Sequence, residues 1–278
     1  YPDCEFLLVG LSGKLGFYLE KYGITRHSRL EIVHAETVVE MSDPSAIALR
    51  AKKDSSITEC ARLMKAGRVE AIVSPGHTGA LVASTKVLNR TLEGVDRPAL
   101  AASLPARNGR FILIDAGANP DCHPLNLVQF ALMGEVYARY LFRRERPAIG
   151  VLSVGGEDGK GSGLTKSVFK ALSGMPVNFV GNVESNSAFE GACDVLVADG
   201  FSGNVLLKTS EGLAKLSVNW LKTAIRKNAL RITGALLARN AFEELKAMGD
   251  ADELGGAPLL GINGRSEEHT SELQSRLH

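Results

Sequence analysis

Apolar residues along this chain fall into short runs that end in glycine or a polar turn, separated by longer stretches with helical spacing. Phe6-Leu7-Leu8-Val9-Gly10 reads as a buried strand, a short helix follows to about Tyr22, and Leu30 to His34 alternates as a second strand. Ser56 to Ala66 sets Ile57, Ala61 and Met64 on one helical face. Ala71 to Ser74 predicts a strand running into Pro75-Gly76-His77-Thr78-Gly79, and a helix then reaches about Asn89. Pro98 to Leu104 and Arg110 to Asp115 predict two more strands, and Leu125 to Phe142 an amphipathic helix. Ala148 to Val154 predicts a strand, with a helix from near Ser162 or Gly163 to about Leu172 and a strand over Val177 to Val180.

The stretch from Cys193 to Asn204 concentrates this pattern. Val195 to Ala198 is apolar, Asp199-Gly200 breaks it, and a long helical pattern starts near Ser202. Glycines let a ligand approach the backbone, and a helix start offers unpaired N–H groups and a positive dipole end. The plainer reading of this corner is a β-to-α turn with Ser202 as N-cap.

Alternating helices and continuously apolar strands predict an α/β fold whose sheet is mostly parallel and covered by helices on both faces. Ligands in such sheets bind beyond the carboxyl ends of the strands. Five polar corners stand at predicted strand ends: Ser74–Gly79, Asp115–Asn119, Gly155–Gly161, Gly181-Asn182 and Asp199–Asn204. Together they point to one shared site.

Beyond Asn204 two helical segments are predicted, Val205 to Asn228 and Leu230 to Met248, with Leu213, Leu216 and Trp220 at helical spacing. No acidic residue lies between Glu211 and Glu243, whereas Lys215, Lys222, Arg226, Lys227, Arg231 and Arg239 do. A basic, leucine-rich hairpin of this kind suits an anionic membrane surface or an acidic carrier protein, and equally a dimer interface with a solvated basic face. From residue 264 onward the chain turns polar and aperiodic, and Ser266 to Ser275 resembles translated sequencing-adapter sequence, which leaves 264–278 outside the predicted fold. The start at Tyr1-Pro2, almost directly before an apolar run, is that of a piece of a longer sequence.

Composition narrows the classes of function. The net charge of +1 gives no general attraction for nucleic acid. The four cysteines have no C-x-x-C pair or histidine companion at metal spacing, so no structural zinc is expected. No apolar run is long enough to span a bilayer.

Lys160, between Gly159 and Gly161 ahead of a helix, can reach a phosphate or a tetrahedral oxyanion as a point charge; the alternative is an exposed loop lysine. The loop has neither Walker A nor dinucleotide-fingerprint spacing, and no G-x-S-x-G elbow exists. Ser202 and Asn204 can hydrogen-bond a ligand or simply cap a helix, and His77 is either a base or a structural hydrogen-bonder. Glu157 and Asp158 have no clear companion carboxylates for a metal, and neither metal nor cofactor is expected. The residues alone thus define an α/β enzyme with an anion site and no evident nucleophile.

At these same corners the chain resembles the phosphate acyltransferase family of bacterial phospholipid synthesis, the PlsX family. The matching segments are Ser74–Ala80, Gly94–Leu100, Ile114–Asn119, Leu127–Gly134, Val154–Lys166, Phe179–Glu184, Asp199–Val205 and Leu254–Gly261, in the family's order. The resemblance implies a three-layer α/β/α sandwich like isopropylmalate dehydrogenase and phosphotransacetylase, here as one domain over 1–263 with the hairpin at about 205–248. It implies a homodimer that carries a long acyl group from acyl carrier protein to inorganic phosphate, is cytoplasmic and is attached peripherally to anionic membrane. On that pattern Lys160 and Asn204 are catalytic, and His77, Thr78, Asp115, Asn119, Gly161, Asn182, Asp199, Ser202 and Gly203 line the substrate pocket. The family's first strand and glycine loop would precede Tyr1, its final strand and helix would stand where the tail lies, and Pro75 and His77 depart from its usual alanine and asparagine. A phosphate acetyltransferase-type enzyme using acyl-coenzyme A, and a non-catalytic adaptor built on the basic hairpin, are the alternatives. An isopropylmalate-type dehydrogenase is the more remote one.

Overall fold

The structure, a computed structural model, describes residues 4–24, 28–43, 52–249 and 256–268. It is a mixed α/β fold with sheet strands flanked by helices, and the chain divides into two compact units: Tyr1–Pro98 with Ala257–His278, and Ala99–Gly256.

In the first unit β1 (Phe6–Gly10) and β2 (Leu30–His34) pair in parallel, joined through helix α1 (Ser12–Lys21). Helix α2 (Ser56–Lys65) starts at Ser55, whose hydroxyl accepts the Thr58 N–H, and buries Ile57, Ala61 and Met64 as the periodicity predicts. β3 (Ala71–Ser74) leads into α3 (Thr78–Leu88), and the buried Asn89 side chain donates to the Ala61 carbonyl at 3.2 Å, fastening the two helices.

The second unit holds β4 (Ala99–Ala106), β5 (Gly109–Ile114), β6 (Ile149–Leu152), β7 (Phe179–Val183) and β8 (Val195–Val197) in the spatial order β4-β5-β8-β6-β7. β4 runs antiparallel to β5, and β5, β8, β6 and β7 are mutually parallel. β8 lies between two neighbours, so Val195, Leu196 and Val197 are fully buried. Burying each such side chain stabilises the fold by about 1.5–3 kcal/mol. Helix α4 (Pro124–Phe142) buries Leu127, Phe130, Ala131, Gly134 and Ala138, an i, i+3, i+4, i+7, i+11 face. Helices α5 (Gly163–Ser173) and α6 (Ser185–Phe189) connect β6, β7 and β8, and α7 (Gly200–Ile225) follows β8.

Four elements differ from the sequence pattern. Gly181-Asn182 is no strand end: both residues lie inside β7, where Gly181 has φ +95° and the register shifts between Ile149 and Gly150, so the glycine marks a bulge. Helix α7 begins at Gly200 with Asp199 as N-cap, not at Ser202. The second hairpin segment is two helices, α8 (Ala229–Leu237) and α9 (Arg239–Gly249). Arg265–Glu268, left outside the fold by its polarity, is strand β10, parallel to β3 and antiparallel to β9 (Ala257–Leu260). A strand flanked on both sides is held through its backbone ladder, which side-chain patterning does not report. The rest of that tail, from His269, lies outside the described residues, as do Leu254 and Gly255 of the Leu254–Gly261 segment.

Gly134 explains how closely α4 approaches the sheet. A Cβ there would lie 2.6 Å from Val195 Cγ1 and 3.2 Å from Ile114 Cγ2. Helix propensity alone predicts that Gly134→Ala stabilises by about 1 kcal/mol. Overpacking against a fully buried valine opposes this and costs about 1–3 kcal/mol. Gly134→Ala should therefore lower the urea midpoint, and adding Val195→Ala should recover part of that loss; a raised midpoint in the single variant would show that the helix moves freely.

Candidate active site

Because β5, β8, β6 and β7 are parallel, their carboxyl ends share one edge. The loops after β5, β8 and β6 hold the corners Asp115–Asn119, Asp199–Asn204 and Gly155–Gly161.

The first two corners are built onto each other. Asp115 is fully buried, and its carboxylate accepts five hydrogen bonds. Oδ1 receives the N–H groups of Leu100 (3.0 Å), Gly117 (3.1 Å) and Ala118 (2.9 Å). Oδ2 receives the Asn119 N–H at 2.7 Å and the Asn119 side-chain amide at 2.8 Å. Burial raises the Asp115 carboxyl above its ordinary value, and the donors, the Ala118 N–H foremost, pull against that rise. The loop so fixed receives α7. The Asn119 carbonyl accepts the Gly200 N–H at 2.8 Å. A Cβ on Gly200 would lie 2.7 Å from Asn119 backbone, and one on Gly203 would collide with the Asp115 carbonyl oxygen. Both glycines therefore serve backbone-to-backbone packing.

Asp199 and Ser202 are occupied in capping: Asp199 Oδ1 accepts the Ser202 N–H at 2.8 Å, and the Ser202 hydroxyl donates to Oδ2 at 3.0 Å. With the Gly200, Ser202 and Gly203 N–H groups already bonded and a carboxylate at the cap, the start of α7 is not the open N–H cradle that its glycines suggest. Asn204 is exposed one residue further on, its side chain 3.4–3.5 Å from the place a Cβ would take on Gly117. Gly117, with φ +143°, was not singled out by sequence; the signal was its place in Asp-Ala-Gly-Ala-Asn, directly after a strand.

The third corner carries an exposed cation beside the exposed carboxylates of Glu157 and Asp158. Lys160 is exposed and makes no ion pair among the described residues. Its N–H donates to the Glu157 carbonyl at 3.0 Å, so Glu157 shapes the turn through its backbone. A Cβ on Gly155 would meet the Lys160 stem at 3.2 Å, and one on Gly161 (φ +97°) would lie 2.9 Å from Thr165. Ser162 caps α5 by accepting the Thr165 N–H at 3.2 Å, leaving the first N–H groups of that helix, Gly163 and Leu164, unbonded among the described residues. Beneath the loop, Asn182 is buried, with its amide turned to the loop carbonyls.

His77 and Thr78 belong to the first unit. His77 is the N-cap of α3: Nδ1 accepts the Ala80 N–H at 3.2 Å, and Nε2 lies 2.8 Å from the Asp43 carbonyl, a pairing that requires Nε2 to carry the proton. Both ring nitrogens are thus engaged locally. Asp43 itself is held below its ordinary value, first by the hydrogen bond from Lys52 at 2.6 Å.

Away from this edge, the distal part of α7 with α8 and α9 forms a helical arm in which no residue from Lys208 to Glu244 is buried. Leu213, Leu216, Trp220, Leu230, Leu236 and Leu237 are all exposed, Trp220 by 62% and Leu237 by 86%. No helix among the described residues is long and apolar enough to cross a membrane.

The fold is that of an α/β enzyme whose polar corners stand at the carboxyl ends of parallel strands, where ligands of such sheets bind. The model of the family described as fatty acid synthesis protein matches residues 1–268, and the chain belongs to that family of acyltransferase enzymes. It is 47% identical over 235 residues to the phosphate acyltransferase of Acidobacterium capsulatum, covering 84% of this chain and 70% of that one. It is 43% identical over 261 residues to the phosphate acyltransferase of Elusimicrobium minutum, covering 94% and 76%. Among solved structures it is similar to a phosphotransacetylase from Streptococcus pyogenes, with TM-score 0.56, 16% identity and coverage of 76% and 74%. A branched-chain phosphotransacylase from Enterococcus faecalis V583 is similar at TM-score 0.53 and 13% identity, covering 96% and 92%. These structural likenesses establish the fold alone.

Asp115→Asn keeps the shape of the side chain but turns an N–H₂ donor toward N–H donors. It should lower stability in urea unfolding by about 1–3 kcal/mol. An unchanged midpoint would show that the carboxylate does not hold the corner.

Proposed function

We propose that this chain transfers a long acyl group from the thioester of acyl carrier protein to inorganic phosphate, yielding acyl phosphate for phospholipid synthesis. The observation that carries the reading is the exposed Lys160, without an ion pair among the described residues, beside the start of α5 on the edge that also bears Asn204. The relatives' name, phosphate acyltransferase, agrees with it. A phosphate oxygen attacks the thioester carbonyl, the carbon–sulfur bond breaks, and the carrier leaves as thiolate. No enzyme nucleophile is required. The protein has to hold two anionic reactants together and stabilise the tetrahedral oxyanion. Lys160 supplies positive charge to phosphate and oxyanion, and the N–H groups of Gly163 and Leu164 add donors. Asn204 supplies a neutral hydrogen bond that orients phosphate or thioester.

In this reading Gly161, Gly203, Asp199, Ser202, Asp115 and Asn119 shape the pocket by fixing its backbone, and the acyltransferase domain runs past residue 263 to include the strand Arg265–Glu268. The arm is the docking element. Lys215, Lys222, Arg226 and Lys227 make no ion pair among the described residues, and exposed leucines and Trp220 lie among them. Charge of that sign beside apolar side chains suits acyl carrier protein, an anionic membrane held peripherally from the cytoplasmic side, or the second subunit of a homodimer.

The test is mass-spectrometric detection of acyl phosphate from long-chain acyl carrier protein and phosphate. Lys160→Ala should reduce turnover by about 100- to 1,000-fold with the melting temperature unchanged. Turnover equal to that of the parent chain would sink the lysine's role. Product from acyl-coenzyme A with none from the carrier thioester would replace the donor, and arm variants that abolish membrane recruitment in a chain without turnover would favour an adaptor.

A further inference from the structure

The loop that carries Lys160 is poor in side chains able to hold it. Gly155, Gly156, Gly159 and Gly161 supply none, and the exposed Glu157 and Asp158 side chains make no hydrogen bond among the described residues. A glycine-rich turn left to itself samples many backbone conformations. One buried side chain reaches it from below. Asn182 stands in β7 opposite Val151 of β6 and is 7% exposed. Its Nδ2 donates to the Glu157 carbonyl at 2.8 Å and lies 3.4 Å from the Lys160 carbonyl. These are the first and last residues of the turn closed by the Lys160 N–H on the Glu157 carbonyl. Two carbonyls on one side fix the amide, since the reverse orientation would set Oδ1 against their lone pairs. Oδ1 is buried and has no partner among the described residues. The side chain is thus placed for its N–H₂ group, at the expense of its own oxygen.

We propose that Asn182 is the positioning residue of Lys160: it clamps the Glu157–Lys160 turn to the sheet and acts on the reaction through the lysine, without touching substrate. The proposal rests on the reading of Lys160 as the group that meets phosphate. A point charge on a flexible stem needs a fixed Cα to deliver its ammonium to one place, and a misplacement of about 1 Å can lower a rate about 100-fold. The bulge at Gly181 sets the orientation, because each extra residue in a strand reverses which face the next side chain meets.

Two readouts test this on the same chain. In Asn182→Asp, which keeps the shape and loses the donor, and in Asn182→Ala, amide hydrogen exchange over residues 155–162 should speed up about tenfold or more, while exchange in β5 and β8 stays as it was. Unchanged exchange in that segment overturns the clamp. In turnover assays Asn182→Asp should lower kcat about 100-fold with little change in KM for the acyl donor. In the Lys160→Ala background the same substitution should add no more than about twofold. Losses that multiply would overturn action through the lysine and make Asn182 a substrate contact. If Lys160→Ala leaves turnover intact, the reading of the lysine falls, while the exchange measurement still decides whether Asn182 holds the loop.

Discussion

One buried carboxylate organises the edge of the sheet. Asp115 sits at the end of β5, inaccessible to water, and every hydrogen bond recorded for its oxygens comes from a donor of its own loop or of β4. A buried charge without donors would be strongly unfavourable, so the loop has to close around it. Closing puts the Asn119 carbonyl where it meets the Gly200 N–H and the Asp115 carbonyl where only a glycine at 203 fits. The direction in which α7 leaves the sheet, and with it the place of Asn204, follows from that one side chain.

The Lys160 corner is held by different means. Nothing in it is a buried charge; it is a glycine turn capped onto α5 by Ser162 and tied from below by Asn182. The two corners therefore differ in stiffness for a chemical reason. The neutral hydrogen bonds under Lys160 are weaker than the charge-assisted ones around Asp115. Along this edge, then, the Asp115 corner is the stiffer and the Lys160 corner the more compliant.

The fully buried strands were legible because burial on both faces requires uninterrupted apolar runs, as in Val195–Val197. Helix α4 was legible from Leu127, Phe130, Ala131 and Ala138. The corners were legible as glycine-rich strand ends, but not their division of labour. Asp199-Gly200 and Gly159-Lys160 look alike in sequence, yet a carboxylate caps one helix and a serine the other. Gly181 misled because a bulge and a turn both call for a positive φ, and residue type alone does not separate them. The strand Arg265–Glu268 was illegible because its pairing is a property of β3 and β9, not of its own side chains. Asn182 was legible as a corner residue and, on the resemblance, as a pocket residue, but not as the side chain under the Glu157–Lys160 turn, since that role is visible only once its partners are in place.

Helix α7 joins the sheet edge to the arm. Its first turn packs on the Asp115 loop through Gly200 and Gly203, and Leu207 is its last buried residue. The remaining turns run out with α8 and α9 into the arm. Twenty-six residues at 1.5 Å rise make a rod of about 39 Å, anchored at one end only. Leu213, Leu216 and Trp220 fall on one face of that rod, and their exposure forgoes about 25 cal/mol for every Å² of apolar surface left in water. A helix can carry such a face because its backbone hydrogen bonds are internal and its anchored start removes the cost of nucleation. The exposed face lies far along the rod from the turn that holds Asn204, so the two share a helix without sharing side chains.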